Sequence, residues 1–92
     1  MTGPKKEPTP FGVELGRRLR AARAYHGLSL AGVRVRSGGR WSAIAIGSYE
    51  RGDRSPSLER LAELAVFYDV PAASLLPAVD LPAGIALRRT VL

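Results

Sequence analysis

Residues 40–52 read Arg-Trp-Ser-Ala-Ile-Ala-Ile-Gly-Ser-Tyr-Glu-Arg-Gly. The spacing predicts a short helix that begins at Trp41 or Ser42, where the serine hydroxyl can cap the first turn. Ile46 and Tyr49 sit three apart and turn inward. Arg51-Gly52 stops the helix, because glycine takes the left-handed terminal conformation at no steric cost. Ala43, Ile44, Gly47 and Ser48 then fall largely on the outer side. That face is small and nearly uncharged, so another surface can approach it closely. Arg40 precedes it, and Arg51 and Arg54 follow it. The competing arrangement puts Ile44 in the core and packs the small residues on a neighbouring helix.

The flanking segments read as the frame for this helix. Over residues 11–26, Phe11, Leu15, Leu19 and Ala22 recur at three- and four-residue spacing and define one buried stripe. Arg17, Arg18, Arg20 and Arg23 occupy the other faces, and Gly27 marks the end. Ser29 caps a second helix with Leu30 and Val33 inside, which ends near Ser37. Ser37-Gly38-Gly39 is a tight turn. A phosphate-cradling loop is excluded there by the missing strand and the missing Gly-Lys-Ser/Thr pattern. Ser57 caps the most regular apolar pattern in the chain, with Leu58, Leu61, Ala62, Leu64, Ala65, Phe67 and Tyr68, and Asp69 ends it. Glu59 and Glu63 lie on its acidic outer face. Pro71 opens a fifth helix that adds Leu75 and Leu76 to the core. The expectation is an all-α, compact five-helix domain over residues 11–77. A flexible arm precedes it at 1–10, and residues 78–92 form a tail or the start of a further segment.

Composition narrows the function. The 92 residues carry a net charge of +6 with 14 basic against 8 acidic side chains, no cysteine and one histidine. Disulfides and thiolate metal sites are excluded. One histidine without convergent carboxylates leaves no nucleophile–base pair, so neither an enzyme nor a metal or other cofactor is expected, and His26 is read as a helix-end residue. No apolar run reaches the length of a membrane span, and residues 1–10 lack a signal peptide's apolar stretch, which predicts a cytoplasmic protein. Nine arginines lie between Arg17 and Arg54 against two acids, whereas residues 58–80 are mildly acidic. A polyanion is the partner that such a distribution suits, and arginine suits phosphate and base edges. A GC-rich genome accounts equally well for the arginine excess alone.

Leu-Arg-Ala-Ala-Arg (19–23), Gly-Leu-Ser-Leu (27–30), Tyr-Glu-Arg-Gly (49–52), Pro-Ser-Leu (56–58) and Val70-Pro71 before Leu75-Leu76 resemble, in order and spacing, the Cro/C1 or XRE type of bacterial helix-turn-helix regulators. Gly38-Gly39-Arg40-Trp41 and residues 47–54 resemble most the actinobacterial, BldD-like subgroup, with its turn about two residues longer than in the general family. The resemblance implies a transcriptional regulator, with repression the expected role, bound to double-stranded DNA as a homodimer. The subgroup's C-terminal domain that binds cyclic di-GMP is absent from these residues. Arg51-Gly52-Asp53 has no Arg-x-x-Asp partner, so no cyclic di-GMP binding is expected. The chain is then either part of a longer regulator or a free-standing short relative.

In such domains the second helix crosses the phosphates while the third enters the major groove. Carried onto this chain, Arg40, Ser42, Ala43, Ile44, Gly47 and Ser48 form the base-reading surface, with Arg40 suited to guanine O6 and N7. Ser29, Arg34, Arg36, Arg51 and Arg54 hold phosphates. Trp41 either stacks at the DNA surface or closes the turn. A protein-interaction module of the same fold, such as an antitoxin or a regulatory subunit, is the alternative.

Overall fold

The computed structural model describes residues 7–87, and the described residues fold as five helices: α1 (Pro10–Tyr25), α2 (Leu30–Arg36), α3 (Ala43–Glu50), α4 (Leu58–Tyr68) and α5 (Ala72–Leu75). Expectations that concern Lys5, Lys6, Arg88, Arg89, Val91 and Leu92 lie outside the described residues.

Each of the first four helices opens on a hydroxyl cap. The side chains of Thr9, Ser29, Ser42 and Ser57 accept the backbone N–H of Gly12, Gly32, Ala45 and Arg60. Thr9 and Pro10 therefore belong to the first helix and not to the arm, because proline at the first helical position lacks only a donor that would be unsatisfied anyway. The same four helices close alike. Just past each end an N–H reaches back five residues: Leu28 to Arg23, Gly39 to Arg34, Asp53 to Ser48 and Val70 to Ala65. This closure needs one left-handed residue, which glycine supplies at 27, 38 and 52 and Asp69 supplies at φ 56°. An aspartate there is strained where glycine would not be. Asp69→Gly should raise the midpoint of urea unfolding, by up to about 1 kcal/mol of stability, whereas the same change in a helix interior would lower it.

Leu15 and Leu19 of α1, Val33 of α2, Ile46 and Tyr49 of α3, Leu61, Leu64, Ala65 and Tyr68 of α4, and Leu75 of α5 form one core. α1 crosses α3 and α5, α2 packs on α3, and α4 packs on α5. Trp41 joins this core from the α2–α3 turn, its ring edge-on to Phe67 with centroids 5.2 Å apart. Trp41 thus closes the turn, which removes it from any stacking role on DNA. Four apolar residues of the expected core are exposed instead: Phe11, Leu58, Ala62 and Leu76. Leu58 projects from the first turn of α4, and Phe11, in the first turn of α1, lines an open cleft with Pro77 and Val79. Ala62 lies on the side of α4 opposite Leu64, and Leu76 has already left α5 in an extended conformation, so that Leu75 turns in and Leu76 out.

Candidate nucleic-acid interface

α3 exposes mainly its first turn. Ser42 is exposed, and its Oγ accepts the Ala45 N–H at 3.0 Å, which leaves the hydroxyl proton for an outside acceptor. Ala43 is half-buried, and Ile44 projects outward at 80% exposure. From Ile46 onward the helix is enclosed. Gly47 and Ser48, expected on the outer face, are buried. A Cβ added at Gly47 would stand 3.4 Å from Leu30 Cδ1 and 3.0 Å from Arg51 Nη1, so the glycine is where α2 approaches α3. Ser48 donates its hydroxyl to the Ala45 carbonyl at 2.7 Å, and its own carbonyl receives the N–H of Asp53 and of Arg54. The expectation failed because an eight-residue helix wedged between α1 and α2 buries more of its circumference than a one-sided amphipathic stripe.

The cations divide into structural and available groups. Arg23 is internal: its Nε and Nη2 donate to Glu50 at 2.7 and 2.8 Å, and Nη1 donates to the Leu28 carbonyl at 2.8 Å. The fork ties α1 to the end of α3 and to the entry of α2, and it holds the Arg23 guanidinium above its ordinary pKa. Arg17 and Arg18 both bond Glu14, which lowers that carboxyl to about 2, and Arg18 also donates to the carbonyls of Ser74 and Leu76 at the end of α5. Arg60 donates to the Tyr49 hydroxyl at 3.0 Å.

Among the candidate phosphate and base contacts, Ser29, Arg34 and Arg54 are exposed, and Arg34 lies one helical turn beyond Leu30, the residue that meets Gly47. Arg51 is exposed and bonds Asp53 at 2.9 Å. Arg36 is exposed too, but it lines a cleft of about 150 Å³ with His26, Leu28, Phe67 and Tyr68, on the α4 side of α2. Arg40 is ion-paired through Nη2 to Glu63 of α4, a bond that raises its pKa. The structure therefore keeps Ser42, Ala43 and Ile44 together as an outward edge, removes Gly47 and Ser48 from it, and turns Arg36 and Arg40 toward α4.

Two contributors were not read from the sequence, Gly16 and the Arg23–Glu50 fork, and Glu63, expected on an outer face turned away from DNA, instead holds Arg40, the leading base-contact candidate. His26, expected in the last turn of α1, is its C-cap, with Nε2–H donating to the Tyr68 carbonyl at 2.6 Å. It thereby joins the ends of α1 and α4.

The helix-turn-helix domain family matches residues 14–77, which takes in α2 to α5 and all but the first turn of α1. The chain belongs to this family. As a helix-turn-helix protein, it superposes on solved relatives. The DNA-binding domain of BldD from S. venezulae is 55% identical, with a TM-score of 0.73 over 75% of this chain and 100% of that one. A crystal structure of the DNA-binding domain of BldD is 54% identical at the same TM-score, covering 77% of this chain and 100% of that one. The restriction-modification controller protein C.AhdI from Aeromonas hydrophila is 34% identical, with a TM-score of 0.61 over 70% and 94%. A search of curated proteins returned no match. These likenesses identify the helix-turn-helix as Cro/C1-like and close to that of BldD. Its two central helices are α2 and α3, joined by residues 37–42, where Gly38 and Gly39 have φ of 66° and 79°. That double left-handed step carries the chain back over α4 and lets Trp41 close the turn.

Proposed function

We propose that this helix-turn-helix protein is a sequence-specific DNA-binding regulator of transcription, acting as a repressor, which inserts the first turn of α3 into the major groove. The observation that carries the reading is the contrast within α3. Its second half is sealed, while Ser42, Ala43 and Ile44 stand outward at its N-terminal edge. An exposed isoleucine beside small side chains fits the thymine methyl group, and the Ser42 hydroxyl suits a base acceptor. Ser29, Arg34, Arg51 and Arg54 would hold phosphates and so fix register without reading sequence. The BldD domain and the controller protein support the reading: one is a DNA-binding domain at more than half identity, the other a controller of restriction–modification. A homodimer on a two-fold symmetric site, working in the cytoplasm and associated with the nucleoid, completes the proposal. The DNA-binding unit would run from the Thr9 cap of α1 to residue 77 and be followed by a tail at 78–92.

Ile44→Ala separates reading from phosphate contact. It should weaken binding to a selected duplex about tenfold and leave a scrambled duplex unchanged. Arg34→Ala should weaken both alike and lower the slope of log affinity against log salt by about one. Titrations of both variants over a salt series decide it, and an Ile44→Ala variant that binds the selected duplex as the parent does would remove α3 from the reading role. A second reading, a protein-interaction module, is favoured by the outer stripe of α4, where Leu58, Ala62 and Val66 are exposed at four-residue spacing. It predicts no duplex binding beyond what a basic surface gives.

A further inference from the structure

Glu63 belongs to none of the groups discussed above as touching DNA, and its carboxylate holds the arginine nearest the reading edge. Arg40 is two residues before Ser42, on a turn pinned by Trp41 against Phe67. Glu63 is one helical turn before Phe67, so the strap that carries Trp41 also brings Arg40 to Glu63 Oε2. A second carboxylate, Glu59, lies one turn earlier on the same face of α4 and adds to the attraction. Arg40 keeps 59% of its side chain exposed and Glu63 keeps 30%, so the pair is open to competition from an outside anion. The two halves differ in freedom. Glu63 projects from the middle of a packed helix, whereas Arg40 has a long side chain that can swing away.

We infer that Glu63 is an affinity-setting latch, a carboxylate on α4 that competes with DNA for Arg40. The inference rests on the proposed DNA-binding function. In the free protein Arg40 is neutralised by Glu63. On the duplex the guanidinium must leave that carboxylate before it meets a phosphate or a guanine edge, so part of its contribution to binding is spent on the exchange. An exposed pair is weakly held, which makes the latch a reduction in affinity and not a block. Arg40 is therefore a conditional contact, unlike Arg34, which has no carboxylate partner among the described residues.

A double-variant cycle on duplex DNA tests the latch, with the full chain titrated into a scrambled duplex and into one selected from genomic fragments. Glu63→Gln keeps the shape of the side chain and removes its charge. It should strengthen binding about three- to fivefold, the scale of an exposed ion pair, and steepen the salt dependence by about one. In an Arg40→Ala background the same change should bring little gain, because no guanidinium is left to release. Glu59→Gln removes an equal charge one turn away without breaking the bond, and it should gain less than Glu63→Gln. Equal gains in the parent and Arg40→Ala backgrounds, or equal gains from Glu59→Gln and Glu63→Gln, would reduce the effect to net charge and overturn the latch. So would weaker or unchanged binding by Glu63→Gln in a parent that binds DNA. A parent chain that binds no duplex at all would instead overturn the DNA-binding proposal, and the latch with it.

Discussion

Gly16→Ala should destabilise the protein by about 3 kcal/mol or more, and a large share of the variant should be unfolded at ambient temperature. Helix propensity alone predicts the opposite, since alanine in a helix interior is favoured over glycine by about 1 kcal/mol. The sign is decided by what lies above Gly16. A Cβ there would stand 2.3 Å from the Glu50 carbonyl oxygen and 2.6 Å from that of Tyr49. Both are backbone atoms at the closing end of α3, so no rotamer change relieves the overlap. α1 would have to lift away from α3, and Leu15 and Leu19 with it. Gly12, one turn earlier, lies against Gly52, so α1 presents two glycines four apart to the end of α3. Urea unfolding followed by circular dichroism measures the effect. A midpoint above that of the parent would mean that α1 and α3 are not held this close.

Arg23→Met should cost about 3–5 kcal/mol. The side chains of the pair are 14% and 7% exposed, so removing the arginine strands the Glu50 carboxylate in a largely dehydrated place. It also strands the Leu28 carbonyl, which now receives Arg23 Nη1. Replacing both partners, Arg23→Met with Glu50→Leu, should recover most of the loss, because an apolar pair of similar size pays no desolvation penalty. The distinction matters for function. The fork joins α1, the entry of α2 and the end of α3, and it thereby orients the edge that carries Ile44. Thermal unfolding of the two single variants and the double variant gives the coupling directly, and additive losses would show that the fork contributes nothing as a unit.

The helices themselves were legible because their punctuation is local. Ser29, Ser42 and Ser57 cap where a hydroxyl precedes an apolar pattern, and Gly27, Gly38 and Gly52 stop where only a left-handed residue fits. The outward position of Ile44 was legible from its offset to Ile46 and Tyr49. The residues misread were those whose surroundings come from distant segments. Gly47 and Ser48 look exposed when α3 is imagined lying on one surface, but it is clasped by two. Arg23 and Glu50 were counted as surface charges of opposite sign, although their motifs, Leu-Arg-Ala-Ala-Arg and Tyr-Glu-Arg-Gly, meet in space. Arg40 and Glu63 are 23 residues apart and become partners only through the seating of Trp41 on Phe67. Two glycines four apart inside the α1 pattern were the available signal for the close approach to α3, since glycine in a helix interior usually has a packing reason.

If the exposed first turn of α3 reads sequence, specific binding should outlast the salt-sensitive attraction of the surrounding arginines. Binding of the purified chain to a genomic fragment library at about 50 and about 200 mM salt tests it most directly. A few fragments sharing a short inverted repeat should be recovered at both salts. Binding that disappears at the higher salt, with no sequence common to the fragments recovered at the lower, would contradict it and leave only a basic surface.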